Sequence, residues 1–120
     1  MSNLYELDIA GVSQELRIRP EIYLKIVVSF AQNLTAKMAV LNTAVIANDA
    51  QQMRVILHEI KGTAGNLRLK DLMAAETLIH EAVLKGEPQE KISKFFEGLN
   101  AEVLRLQEFI RTLQPGPQGT

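Results

Sequence analysis

The stretch PEIYLKIVVSFAQNLTAKMAVLNTAVIA, residues 20–47, decides the fold class. Within it Tyr23, Ile26, Val27, Phe30, Leu34, Met38, Leu41 and Val45 recur at steps of three or four. That is the period of an α-helix with one apolar face, not the alternation of a strand. Pro20 suits the first helical turn, where its missing amide donor costs nothing. The segment is long, and Asn33 to Thr35 offers a place for a bend.

Outward from this helix the same period returns. Asp49 is a good N-cap, with Gln52 three positions on in a capping-box arrangement. The stripe behind it is Met53, Ile56, Leu57, Ile60, Ala64 and Leu67. A break over Asn66–Leu69 leads to a third long segment with Leu72, Ala75, Ile79 and Val83. Gly86 and Pro88 end it and open the next, which carries Ile92, Phe95, Phe96, Leu99, Val103, Leu106, Ile110 and Leu113. Upstream, Asp8–Leu16 reads as a short helix turning Ile9, Val12 and Leu16 to the core. No strand pattern and no repeat competes. The expectation is an all-α chain, an antiparallel four-helix bundle with a short extra N-terminal helix. Residues 1–113 form this one domain, and the Pro- and Gly-rich 114–120 a flexible tail.

Bulk properties narrow the function classes. A chain of 120 residues is one domain in size, and 47% hydrophobic content suffices for one core. With 13 basic and 14 acidic residues the net charge is -1, so no basic surplus exists to neutralise nucleic-acid phosphates. Cysteine is absent, which excludes disulfides, thiolate metal sites and cysteine nucleophiles. The longest apolar tracts, such as Ile26-Val27-Val28, are soon interrupted, so no segment reads as a membrane span. The N-terminus lacks the basic-then-apolar layout of a signal peptide. The expectation is a cytoplasmic, monomeric module without direct membrane contact.

Chemistry concentrates in His58-Glu59-Ile60-Lys61-Gly62-Thr63-Ala64-Gly65-Asn66-Leu67. On a helical wheel with His58 at the origin, Ile56, Ile60, Leu67, Met53 and Ala64 fall between roughly 160° and 240°. The apolar face thus points away from His58. Arg54, Lys61, Gly62 and Gly65 lie within about 60° of it. Interior glycines cost a helix roughly 0.5–1 kcal/mol each relative to alanine. Two of them beside one outward imidazole suggest that the space above the ring matters, although paired glycines also mark close helix packing. A neutral imidazole nitrogen can attack phosphorus without a base. Lys61, one turn on, can offset charge on phosphoryl oxygens. At 4 Å such a contact is worth roughly 1 kcal/mol in water and about 4 kcal/mol at an effective dielectric near 20. Read from the residues alone, His58 is either a nucleophile or an ordinary solvated histidine.

The pattern His58-x-x-Lys61-Gly62-Thr63-Ala64-Gly65-Asn66-Leu67, followed by Leu69 and Leu72, resembles the signature of histidine phosphotransfer domains. The likeness extends by pattern to Leu7-Asp8, to Pro20-Glu21-Ile22-Tyr23-Leu24, to Asn48-Asp49-Ala50 and on to Leu113, with the His58 segment its specific part. This resemblance implies a phosphorelay intermediate of two-component signalling. A receiver-domain aspartate would donate a phosphoryl group to His58, and a second receiver would accept it. It implies no cofactor of the chain's own and no ATP site, the magnesium ion being held by the receiver; the chain indeed lacks a Gly-x-x-x-x-Gly-Lys-Ser/Thr loop. It casts Lys61 as electrostatic neighbour and Gly62 as docking clearance, with Gly65 in support.

Two positions depart from the family. Where members commonly carry Gln or Glu, 22 residues after the histidine, this chain has His80, with Thr77 one turn earlier to share the task. His80 also lies at the border of the apolar stripe, where it would simply pack. Arg68 stands where many members have Gly. Ile9, Val12, Val55, Gly62 and Tyr23 are expected around a docking surface, Tyr23 equally as core. Three other readings stay open: a non-enzymatic helical adaptor, the phosphoryl-accepting domain of a chemotaxis-type kinase, and a metal site of His58 and His80. The last is poor without a matching carboxylate cluster. The Pro20–Tyr23 start and short tail favour the module of a hybrid sensor kinase over the chemotaxis type.

Overall fold

Helix ends explain this architecture as well as helix interiors do. The structure, a computed structural model, describes residues 5 and 7–113. The helices are α1 (Ile9–Leu16), α2 (Pro20–Ile46), α3 (Ala50–Asn66), α4 (Lys70–Leu84) and α5 (Gln89–Leu113), with no strand among the described residues. The chain is all-helical there, and the tail expected at 114–120 lies outside the described residues.

Each of the first four helices stops in the same way. A residue in the left-handed region follows the last turn: Arg17 (φ 61°), Asn48 (56°), Arg68 (61°) and Gly86 (69°). The next amide then bonds back across the helix end, Ile18 to Ser13, Asp49 to Ala44, Leu69 to Ala64 and Glu87 to Ala82. This closure satisfies carbonyls that would otherwise lack donors and reverses the chain within a few residues. Only Gly86 adopts the conformation freely. At Arg68 the guanidinium Nη1 donates to the carbonyls of Gly65 (3.0 Å) and Asn66 (3.2 Å), which supports the strained backbone and accounts for an arginine at a glycine-like position. Helix starts follow the sequence. Asp8 Oδ1 accepts from the Gly11 amide at 2.9 Å, and Asp49 Oδ1 from the Gln52 amide at 3.1 Å. The Asp49 cap is one-sided, because its own amide is already given to Ala44.

Helix α2 packs on α3 and α5, α4 packs on α3 and α5, and α1 lies on α2. The core they share contains Tyr23, Val27, Leu34, Leu41, Met53, Leu57, Ile60, Leu72, Ile79, Leu99 and Leu106. Helix α2 runs unbroken through Asn33–Thr35, and Gln107 Nε2 from α5 donates there to the Ala31 carbonyl (2.8 Å) and Thr35 Oγ1 (3.1 Å). Several expectations change, among them that of Leu113, assigned to the stripe of α5 but 40% exposed at the end of the helix. Ile26, placed on the inner stripe, is 43% exposed. And α2 is long and apolar enough to cross a membrane by length and composition, with mean hydropathy 1.2 over its best window. The reason is that its outer face also carries apolar side chains, Ile26, Val40 and Ile46, and few charges. Its inner face is part of the core described above.

Tyr23 ties α2 to the end of α3. Its ring is fully buried and its hydroxyl donates to the Leu67 carbonyl at 2.6 Å. Burial pushes this phenol up to about 12, against a partial lowering by Arg68. Tyr5, half-buried against Phe109, is likewise pushed up to about 12, by its burial and then by the Asp71 charge. A folded-state value above the unfolded one favours folding fully below the unfolded value, and that support disappears as pH rises through the folded value. Stability is therefore expected to hold up to about pH 10 and to fall between pH 10 and pH 12. Urea titrations across that range check it; a fall that begins well below pH 10 would contradict the assignment.

Candidate functional site

Helix α3 is held on both flanks, which fixes where His58 points. On one flank Glu59 pairs with Lys37 of α2 at 2.7 Å. On the other, Gly65 faces Met73 of α4, where a β-carbon at Gly65 would make ordinary contact, 3.6 Å from Met73 Cε. Beneath, Met53, Ile56, Leu57, Ile60 and Ala64 are buried. What remains for solvent is the stripe of Arg54, Val55, His58, Lys61 and Gly62, all exposed. Among the described residues His58 has no hydrogen bond or ion pair, and neither Arg54 nor Lys61 has an acidic partner.

The two glycines of the motif have different surroundings. A β-carbon on Gly62 would meet nothing within 4 Å, so the missing side chain leaves open space one turn from the imidazole. Gly65 is half-buried and faces Met73, where a β-carbon would make ordinary van der Waals contact. The clearance reading of paired glycines thus suits Gly62, whereas the space at Gly65 would admit a β-carbon and does not require glycine for packing.

On α4, Thr77 is half-buried, and His80 is held by Glu76, His80 Nδ1 lying 2.7 Å from Glu76 Oε2. Glu76 is fully buried, whereas Ala75, expected on the inner stripe, is only half-buried. Sequence reasoning missed Glu76 as a site residue. The available signal was a carboxylate four positions before His80 and spaced to share the face of Leu72, Ile79 and Val83.

The expected docking residues are spread out. Val55 is 46% exposed beside His58, while Tyr23 is core. Ile9 and Val12 are half-buried on α1 and pack against the core. Val12 shares a cleft with Arg68 and Leu69 at the α3–α4 turn. That turn is nine or ten residues from His58, or about 14 Å of helical rise. Among the described residues no three His, Asp or Glu side chains cluster as a metal site would require.

The arrangement presents an exposed, unbonded imidazole with cations at one side and bare backbone at the other. It can act as a nucleophile towards an anionic electrophile delivered by another molecule. No family model, curated protein or solved structure matches this chain.

Proposed function

We propose that this chain is a phosphorelay intermediate, an antiparallel four-helix bundle of the histidine phosphotransfer kind that acts in the cytoplasm as a monomer. The observation that carries the reading is His58, exposed and unbonded on α3 with open space at Gly62. A receiver domain docks over the stripe of Val55, His58 and Gly62. A His58 ring nitrogen attacks phosphorus, the new P–N bond forms, and the P–O bond to the receiver's aspartyl group breaks. The carboxylate leaves with the bonding pair. The reverse sequence delivers the group to a second receiver. A magnesium ion is expected on the receiver, not on this chain, and would there offset phosphoryl charge. Lys61 and Arg54 add positive potential on this side, which strengthens as docking excludes water. Gly62 lets the two reacting atoms approach to the roughly 3–3.5 Å that in-line transfer needs.

The test is incubation with phosphorylated receiver domains, comparing the chain with His58→Gln. The expected result is label on the parent chain that is lost in acid and kept in alkali, with none on the variant. Equal labelling of both chains, or of neither, would sink the relay reading and leave a helical adaptor.

A further inference from the structure

Glu76 is an unusual residue for the place it occupies. It is fully buried on the face of α4 that also carries Leu72, Ile79 and Val83. Its Oε2 lies 2.7 Å from His80 Nδ1, and its Oε1, equally buried, has no hydrogen-bond partner among the described residues. A carboxyl group in this setting costs stability compared with an apolar side chain of the same size. The His80 side chain remains 18% exposed, so one end of the pair reaches the surface.

The packing of α3 on α4 shows where that surface is. Gly65 faces Met73 across the hairpin closed by the Leu67–Leu69 turn. Two helical turns from Gly65, back along α3, stands His58; two turns from Met73, on along α4, stands His80. Seven residues return a helix to nearly the same face, about 10 Å further along. His58 and His80 therefore stand at one level of the hairpin. Met73, Thr77 and His80 form the flank of α4 towards α3, while Asp71, on the opposite flank, pairs with Arg105 of α5. The charged groups that α3 presents to this flank are Arg54, His58 and Lys61. Helix α5 turns the uncharged Ile92, Leu99, Val103 and Leu106 inward, and its Lys94 and Glu97 are exposed. On α4 itself Glu81 is exposed.

We propose that Glu76 is a positioning residue that accepts the Nδ1–H of His80 and leaves Nε2 as the free nitrogen, which takes up and returns a proton during phosphoryl transfer at His58. This rests on the reading of His58 as the phosphoryl carrier. When the attacking nitrogen of His58 binds phosphorus, the ring becomes a cation that still holds hydrogen on its other nitrogen. His80 Nε2 accepts that proton, directly or through one water: the N–H bond on His58 breaks, the N–H bond on His80 forms, and the Glu76 carboxylate balances the resulting imidazolium. The imidazole ring of phospho-His58 is left neutral, its phosphoryl oxygens still anionic, and the stored group is long-lived. Return of the proton makes the ring cationic again, and its P–N bond then breaks readily when the next receiver attacks. The pair thus gates the stored group by protonation.

The test uses the full chain with Glu76→Gln and His80→Gln, each checked for folding by its thermal transition. Ring nitrogen NMR of His80 between about pH 5 and pH 9 reads its protonated nitrogen and midpoint. In parallel, the decay of phospho-His58 and its transfer to a receiver are followed over the same range. Expected are hydrogen on Nδ1 of neutral His80, a break in the transfer profile at the His80 midpoint, and displacement of both by Glu76→Gln. His80→Gln, which cannot titrate, removes the break. A profile for His80→Gln identical in shape to the parent's, with His58 still labelled, overturns the role of the pair alone. Hydrogen on Nε2 of neutral His80 overturns it too. Absence of label on every chain overturns the relay reading and the gating role with it.

Discussion

Replacing Gly62 with glutamine is expected to stabilise the chain and disable phosphoryl transfer at the same time. The two effects have separate causes. Gly62 lies inside α3, and a β-carbon there meets nothing within 4 Å, so substitution meets no steric resistance. Exchange of an interior glycine for a good helix former gains roughly 0.5–1 kcal/mol. That should raise the thermal midpoint by a few degrees. The same side chain then stands one turn from His58 on the exposed stripe and holds a docked protein away from the ring. A misplacement of only about 1 Å can cost a transfer reaction roughly 100-fold, and that loss is the expected magnitude. Gly65→Ala is the matched control. Its β-carbon would make an ordinary contact with Met73, 3.6 Å from Cε, on the flank turned to α4. Its transfer rate should stay close to the parent's. Melting curves and single-turnover transfer from a phosphorylated receiver measure both quantities, and a Gly62→Gln chain that transfers at the parent rate would remove Gly62 from the docking site.

Tyr23→Ala should have the largest effect on stability. Its ring is fully buried where α2 meets the end of α3, and truncation of a buried aromatic costs about 3–5 kcal/mol. A domain of this kind has only about 5–15 kcal/mol in total. Tyr23→Phe separates the hydroxyl from the ring. It keeps the packing but strands the Leu67 carbonyl, which now accepts at 2.6 Å, at a cost of about 1–3 kcal/mol. The carbonyl belongs to the turn that sets α4 against α3, so Tyr23 acts on the level of His58 and His80 as well as on the core. Urea denaturation of the three chains orders them; equal stability of the parent and Tyr23→Phe would show that the hydroxyl contributes nothing.

The helices, their starts and the outward position of His58 were legible in the primary structure. Helical periodicity is a local property, and α3 shows why it suffices there: every residue assigned to its inner stripe, Met53 through Leu67, is buried. Capping is local too, as Asp8 and Asp49 show. Errors arose where two helix faces were nearly equivalent. Ile26 and Val27 are neighbours on α2, and both satisfy the apolar pattern; only contact with α3 and α5 turned Val27 in and left Ile26 out. Ala75 and Glu76 posed the same choice on α4. Hydropathy favours Ala75, but the rotation of the helix that buries Leu72, Ile79 and Val83 brings Glu76 inside.

The amino-acid order by itself determined an all-helical chain, its breaks, and an imidazole set opposite an apolar stripe. These follow from side-chain spacing along one helix, which needs no neighbour. Tertiary structure alone decided which glycine is open and which faces α4, that Glu76 is buried and holds His80, and that His80 shares a level with His58. Each of these depends on the rotation and register of one helix against another, set by the joint packing of many side chains and by the geometry of the turns between them.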